Sequence, residues 1–275
     1  MISIIIPLYN KESFIKKTLD SVLNQTYKEF ELIIINDGST DKSGIIVSNY
    51  NDIRIKYYER ENRGVSATRN QGIKQASGDF IAFLDADDIW HPQFLERLYS
   101  LSQDYPRYSF FCCAQKNRII STLPPKVSII KDHCMYDYIY CTGCSIIRRA
   151  IFDEVGGFRE GVQLGEDRDM WLKIGCKYQT VFINEELISH PEITENNLSN
   201  NIDVTKSFPY WEWFSYPYPI KKSLYMYTNK MLLSNTSILV NQKRYKDAWF
   251  FLIKCKGFSA ISTRIKLLYR IIFKK

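Results

Sequence analysis

GDFIAFLDADDIW, residues Gly78–Trp90, sets an apolar run of strand length directly against three carboxylates. Phe80–Leu84 (FIAFL) has the composition of a strand buried on both faces of a sheet. Asp85, Asp87 and Asp88 follow at its carboxyl end. Carboxylates placed there are costly if desolvated and unpaired, so they must meet solvent, a cation or a ligand. Three runs of the same kind precede this one: Ser3–Leu8, Glu31–Asn36 (ELIIIN) and the alternating Ile53–Glu59. Segments of helical period lie between them. Asn10 is placed to cap the first, in which Phe14, Ile15, Thr18, Leu19, Val22 and Leu23 recur at helical spacing. The turn Asp37-Gly38-Ser39-Thr40 runs into the second, and Gly64–Ala76 forms the third. Pro92 opens a fourth helix that continues to about Gln103.

Strand–helix alternation with short links implies right-handed crossovers and an α/β fold with a doubly wound, mainly parallel sheet. Ligands of such sheets bind outside the carboxyl ends of the strands. The polar residues at those ends are Tyr9 and Asn10, then Asp37 and Ser39, then Asp85, Asp87 and Asp88. After Tyr108 the pattern turns to antiparallel-looking strands, broken by Pro124-Pro125. A Gly156-Gly157-Phe158 turn, a helix from about Glu166 to Gly175 and a strand near Thr180–Asn184 follow, and the polar Glu185–Asn201 reads as a loop. Residues 204–275 are aromatic-rich, basic and helical in period, an extension to the main domain over 1–203.

The charge is unevenly placed. Lys254–Lys275 holds seven basic residues and no acid, which accounts for the whole net charge of +7. No apolar run is long enough to span a bilayer, and MISIIIPLYN lacks the basic and small-residue signals of a secretory leader, so a cytoplasmic location is expected. Seven cysteines, an odd number, argue against a disulfide framework. His133, Cys134, Cys141 and Cys144 include one C-x-x-C, but a second is absent, which favours buried thiols over zinc.

Two acidic segments carry the chemistry. Along an extended chain Asp85 and Asp87 share a side while Ala86 turns away. Two hard oxygen ligands side by side suit Mg²⁺ or Mn²⁺ on a diphosphate; an acidic helix-capping turn explains them equally well. In Gly165-Glu166-Asp167-Arg168-Asp169-Met170-Trp171 the acids fall in the first turn of a helix, where the macrodipole favours them. The alternative is a general base acting on an acceptor hydroxyl. At Asn62–Asn70, small residues allow close backbone approach, and Arg63 and Arg69 are suited to phosphate or ribose oxygens, or to solvent.

Taken together, six segments resemble the family 2 inverting glycosyltransferases of GT-A fold, in the family's order: IIIPLYN at Ile4–Asn10, NDGSTD at Asn36–Asp41, NRGVSATRNQGI at Asn62–Ile73, GDFIAFLDADDIW at Gly78–Trp90, RRAIFDEVGGFRE at Arg148–Glu160 and GEDRDMWLKIG at Gly165–Gly175. The resemblance implies transfer of a hexosyl or N-acetylhexosaminyl group from a nucleotide-diphosphate sugar, with UDP the expected nucleotide, in bacterial surface-polysaccharide assembly. It implies that Pro7, Tyr9, Glu12, Asp37 and Ser39 line the nucleoside pocket, with Arg69 and Asp85 near the ribose. Asp87, with Asp85 beside it, would hold Mn²⁺ or Mg²⁺, Asp167 would deprotonate the acceptor, and Glu166 would orient hydroxyls. Many relatives carry a metal-binding histidine just before an Asn/Ser-rich stretch such as Asn196–Ser199. Here that position is Thr194 or Glu195, and His190, several residues early, is the nearest substitute.

A helix over Ile261–Lys275 would gather Ile261, Ile265, Leu268 and Ile272 on one side and Lys266, Arg270 and Lys274 on the other. Such a basic amphipathic helix suits an anionic membrane surface, which places the protein peripherally on the inner face, near a glycan or lipid-linked glycan acceptor. Packing of the apolar side on the main domain is the alternative. Nucleic acid is not an expected partner, because the tail offers few stacking rings. Tyr210-Trp211-Glu212-Trp213-Phe214 reads as core or a homodimer interface before an acceptor platform. A non-catalytic nucleotide-sugar or carbohydrate-binding module is the competing function. A nucleotidyltransferase is disfavoured, because Ile6–Glu12 holds no glycine-rich phosphate loop.

Overall fold

The isoleucine-rich N-terminal runs form the centre of a nine-stranded mixed sheet in the computed structural model, which describes residues 1–116, 126–132, 141–190, 203–207, 209–215, 221–256 and 261–273. The chain order is β1 (Ile2–Leu8), α1 (Ile15–Leu23), β2 (Phe30–Asp37), α2 (Ser43–Ser48), β3 (Ile55–Arg60), α3 (Val65–Gln75), β4 (Phe80–Phe83), β5 (Ile89–Trp90), α4 (Phe94–Asp104), β6 (Phe110–Gln115), β7 (Val127–Ile130), β8 (Ser145–Arg148), α5 (Ala150–Val155), α6 (Glu166–Lys177), β9 (Thr180–Ser189), α7 (Lys221–Asn241), α8 (Tyr245–Lys254) and α9 (Ile261–Ile272). The strands run β3-β2-β1-β4-β8-β6-β9-β5, with β7 also on β9. β3, β2, β1 and β4 are parallel. β8 is antiparallel to both β4 and β6, and β9 is parallel to β6.

Alternation within β1 divides its side chains between two cores. Ile2, Ile4, Ile6 and Leu8 join Leu32, Ile34 and the apolar sides of α1 and α4 on one face. Ile5 joins Ile33, Ile35, Ile81 and Phe83 with α5 and α6 on the other. Full burial of such a side chain contributes roughly 1.5–3 kcal/mol, so the runs can hold their places only with both faces covered. α3 lies close enough to the sheet that a Cβ at Gly72 would stand 2.3 Å from Ile5 Cγ2, which is why the helix carries a glycine there.

Several boundaries differ from the sequence reading. Asn10 does not cap α1: its φ is 49°, and its side chain accepts from Thr40 N at 2.8 Å, tying the loop after β1 to the loop after β2. α4 begins at Phe94 rather than at Pro92, because the buried Gln25 accepts from Leu95 N at 3.0 Å while the Pro92 carbonyl accepts from Thr26 N. β3 begins at Ile55, leaving Ile53 fully exposed. β9 runs on to Ser189, well into the stretch expected to be loop. Leu187 and Ile188 are buried there, and Ile188 and Ser189 pair with Trp90 and Ile89 of β5.

The C-terminal helices form a third core with Leu172 of α6. α9 ends at Ile272; of the side read as apolar, Ile265 and Ile272 are exposed and Leu268 is half-buried against the third core, while Leu267 and Ile271 turn inward. The helix carries apolar residues around more than one stripe, and the contact with α7 and α8 selects Leu267 and Ile271. Tyr210 and Trp213 are buried core residues, with Trp213 stacked on Tyr227 at 5.5 Å. The side chains of Trp211 and Phe214 lie outside the described residues, as do His133, Cys134 and Lys274.

Glu31 fixes the opposite edge of the sheet from the acidic strand ends. Its carboxylate accepts from Ser3 Oγ (2.5 Å) and Ser77 N (2.7 Å) and pairs with Lys56 Nζ (2.6 Å). Burial opposes its ionisation, but the bonds from Lys56, Ser3 and Ser77 outweigh burial and hold the carboxyl down at about 2, against an ordinary 4.5. A lowered folded pKa gives stability that is present above the ordinary value and lost as pH falls through the folded one. Acid titration of unfolding should therefore show a loss on the order of 2–3 kcal/mol from this group as pH falls from about 5 towards 2. Glu31→Gln should flatten that part of the profile; an unchanged profile would mean the carboxylate is not held as described.

Candidate active site

The carboxyl ends of β1, β2 and β4 and the N-terminal turn of α6 converge on one site, and Arg69 joins its two acidic segments. Its guanidinium donates to Asp85 Oδ1 (NH2, 2.8 Å) and to Glu166 Oε1 (NH1, 3.0 Å). These partners lie 16 and 97 residues away. Arg69 is 3% exposed and stands over the Phe158 ring at 5.2 Å. Burial works against its charge, but Asp85 and Glu166 outweigh burial and raise its pKa further. The same helix clasps the glycine turn after α5: Asn70 Oδ1 accepts from Phe158 N at 2.7 Å, and its Nδ2 donates to the Phe158 carbonyl at 2.8 Å. A Cβ on Gly157 would lie 2.4 Å from that Oδ1, so GGF can be read as the turn that lets Asn70 in.

The segment after β4 is held by two cations, Arg69 and Lys11, and by His190. Beside the Arg69 contact of Asp85, Lys11 Nζ pairs with Asp87 Oδ2 at 2.5 Å. His190 Nδ1 lies 2.6 Å from Asp88 Oδ1, and its Nε2 lies 3.3 Å from Gln115 Oε1. Burial pushes the Asp88 carboxyl up to about 6, against the opposing hydrogen bond to His190. The Asp88 hydrogen bond in turn raises His190, against its own partial burial. His190 thus reaches the acidic segment through Asp88, carried there by β9 and its pairing with β5. Asp88, Lys11 and Gln115 were not singled out as functional from the sequence. Asp88 was legible as the third acid of the run, but Lys11 and Gln115 carried no local signal.

Glu166 and Asp167 open α6 behind Gly165, whose φ is 88°. Burial, then the charge of Asp167, pushes the Glu166 carboxyl up, with Arg69 opposing both. Asp167 is half-buried and accepts from Arg168 N at 2.7 Å. Asp169, one turn position on, is fully buried and accepts from Trp213 Nε1 at 3.2 Å, so the C-terminal core holds the acidic helix from behind.

The remaining expected residues line the same edge. Tyr9 is 45% exposed and Pro7 is half-buried. Asp37 is only 3% exposed and accepts from Arg60 Nε (2.8 Å), Arg63 N (3.0 Å) and Gly64 N (2.8 Å), which sets the start of α3. Ser39 Oγ accepts from Asn10 N, and Glu12 accepts from Lys42 N at 2.9 Å, so both brace the paired loops after β1 and β2. A cleft opens between Asn62–Ser66, which adjoins Asp37, and Gly161–Gln163, which leads into Gly165-Glu166. Among the described residues no three His, Cys, Asp or Glu side chains cage a metal by themselves. Cys144 is buried and its Sγ lies 3.0 Å from the Cys141 carbonyl, as a structural thiol would.

Known proteins share the sequence pattern and the fold. GlyA, a glycosyltransferase of Streptococcus pneumoniae, is 43% identical over 106 residues, which is 38% of this chain but only 15% of GlyA. An uncharacterized glycosyltransferase of Rickettsia typhi is 30% identical over 231 residues, covering 78% of this chain and 71% of the relative. Among solved structures, Staphylococcus aureus TarS residues 1–349 in complex with UDP-GlcNAc superposes with a TM-score of 0.75 at 19% identity. That match covers 93% of this chain and 81% of the other, and shows a shared fold. Residues 3–156, more than half of the sequence, match the pattern of Glycosyl transferase family 2, and the chain belongs to that family.

Proposed function

We propose that this chain transfers a hexosyl or N-acetylhexosaminyl group, with inversion, from a nucleotide-diphosphate sugar to an acceptor hydroxyl. UDP is the nucleotide we favour. The acceptor is a glycan or lipid-linked glycan of bacterial surface-polysaccharide assembly, reached from the cytoplasmic face of the membrane. The observation that carries the reading is the Asp85–Arg69–Glu166 bridge, which sets the donor-side carboxylates beside the acidic pair of α6.

Pro7, Tyr9, Glu12, Asp37 and Ser39 form the nucleoside side of the site, and Arg69 and Asp85 lie on the ribose side. The donor set after β4 fits a divalent cation. Asp85 Oδ2 and Asp87 Oδ1 accept nothing from the described residues, while their other oxygens are taken by Arg69 and Lys11. Two such hard oxygens, completed by diphosphate oxygens and water, match the habit of Mg²⁺ or Mn²⁺. Asp87 and Asp85 would hold the ion, with His190, steadied by Asp88, as a third group toward it. A bound ion would supply positive charge against the departing nucleoside diphosphate. Asp167 takes the proton of the acceptor hydroxyl at its carboxylate, and the oxygen attacks the anomeric carbon from the face opposite the diphosphate. Glu166, fixed by Arg69, orients the hydroxyls.

The test is calorimetric titration of UDP and GDP in the presence of Mn²⁺. One nucleotide should bind wild-type protein, and removal of metal or Asp87→Ala should weaken it by at least about tenfold, the loss of a single strong cation-mediated contact. Equal binding with and without metal would contradict the roles given to Asp85 and Asp87.

A further inference from the structure

The last two described helices each bury one stripe and expose another, and the exposed stripes are apolar. α8 turns Ala248, Phe251 and Leu252 inward and leaves Trp249, Phe250 and Ile253 exposed by 45, 44 and 56%. α9 turns Leu267 and Ile271 inward and leaves Ile265, Tyr269, Ile272 and Phe273 exposed by 52–60%. The rings of Tyr269 and Phe273 lie 4.5 Å apart on that outer side. The two helices pack on each other and on α7, and Arg264 at the start of α9 donates to the Cys255 carbonyl just beyond α8 at 2.7 Å, which fixes one against the other. Seven of the exposed large apolar side chains among the described residues fall within Trp249–Phe273, and apolar surface on that scale marks a contact.

Charge selects the occupant. From Trp213 to Lys275 the sequence holds 13 basic residues and a single acid, Asp247. That acid is taken by Arg244 at 2.7 Å. Lys254 lies along the Phe250 ring, its Nζ 5.1 Å from the centroid, a long stem over an apolar surface with its charge at the rim. Exposed apolar and aromatic side chains in a segment this basic, with almost no counter-charge, fit a bilayer of anionic lipid: the side chains enter the acyl boundary and the cations remain at the headgroups. None of the described helices is long and apolar enough to cross a membrane.

We propose that α8 and α9 together form a two-helix anionic-membrane-docking surface, with Trp249, Phe250 and Ile253 inserting beside Ile265, Tyr269, Ile272 and Phe273. This differs from an amphipathic tail acting alone, because α8 supplies Trp249, Phe250 and Ile253, three of the seven exposed apolar side chains. It deepens the membrane part of the proposed function and rests on it only for where the acceptor lies.

The experiment is sedimentation of the full chain with vesicles of phosphatidylcholine, alone or with about a third phosphatidylglycerol, compared with Trp249→Ser/Ile253→Ser in α8 and Ile265→Ser/Phe273→Ser in α9. All four positions are exposed, so both variants should keep the wild-type melting temperature and the wild-type solution release of nucleoside diphosphate. Wild type should bind anionic vesicles at least about tenfold better than neutral ones, and each variant should lose at least about fivefold. Three outcomes overturn the proposal. Wild type fails to distinguish the vesicles; the α8 variant binds as wild type, leaving only the tail; or wild type without vesicles is a dimer that both variants dissolve, making the face an interface between copies. Loss of nucleotide release in all three proteins, with vesicle binding intact, would instead count against the transferase reading alone.

Discussion

Asp167→Asn should lower sugar transfer by about 10²–10⁴-fold, the range a positioned general base contributes, while nucleotide affinity stays within about threefold of wild type. The variant keeps shape and leaves the Arg69 bridge to Glu166 and Asp85 in place, since among the described residues Asp167 accepts only from Arg168 N. What it removes is the half-buried carboxylate in the first turn of α6 to which the proposal gives the acceptor proton. Neighbouring Asp169 cannot substitute, because it is fully buried, bonded to Trp213 and paired with Lys173 at 2.6 Å. Steady-state transfer combined with calorimetric binding of the nucleotide separates the two effects. A loss confined to binding would move Asp167 from the acceptor side to the donor side.

Arg69→Met should be the most damaging single change to both fold and site. Arg69 is the buried centre of a three-member ion network, and its loss leaves Asp85 and Glu166 without their shared cation. Removing one partner of a buried ion pair costs roughly 3–5 kcal/mol, because the remaining charge stays desolvated. For a chain of this size that corresponds to a fall in melting temperature on the order of 10 °C. Arg69→Lys keeps a charge but not the fork that spans Asp85 and Glu166, so it should recover part of the stability and little of the nucleotide binding. Thermal unfolding and nucleotide titration of both variants check this. If Arg69→Met melts with wild type, the bridge does not hold the two acidic segments together.

The parts of this molecule that were readable in the sequence are those fixed by short-range composition. β1, β2 and β4 are continuous apolar runs, and burial on both faces of a sheet is the environment such runs need. The carboxylates at their ends were readable for the converse reason, since charge beside a buried strand has few places to go. What escaped was set by long-range pairing. EELIS at Glu185–Ser189 looks polar, yet Leu187 and Ile188 are both buried once β6 and β5 lie alongside, and the strand runs to Ser189, just before His190. The partnership of His190 with Asp88 follows from that extension. Lys11 is an ordinary basic residue until the parallel pairing of β1 with β4 sets it against Asp87. The tail showed its amphipathicity but not which stripe would pack, because α7 and α8 decide that. Arg69 was named for nucleotide oxygens; its span from Asp85 to Glu166 became visible only with both segments in place.

The most direct test of the central claim is release of nucleoside diphosphate from a panel of UDP-, GDP- and dTDP-sugars with Mn²⁺, in wild-type protein and in Asp167→Asn, with acceptor extracts supplied. Metal-dependent release from one donor, accelerated by acceptor in wild type and not in Asp167→Asn, is the expected result and identifies the sugar. Nucleotide that binds with metal but is never turned over, with the two proteins indistinguishable, would contradict catalysis and leave a nucleotide-sugar-binding module in its place.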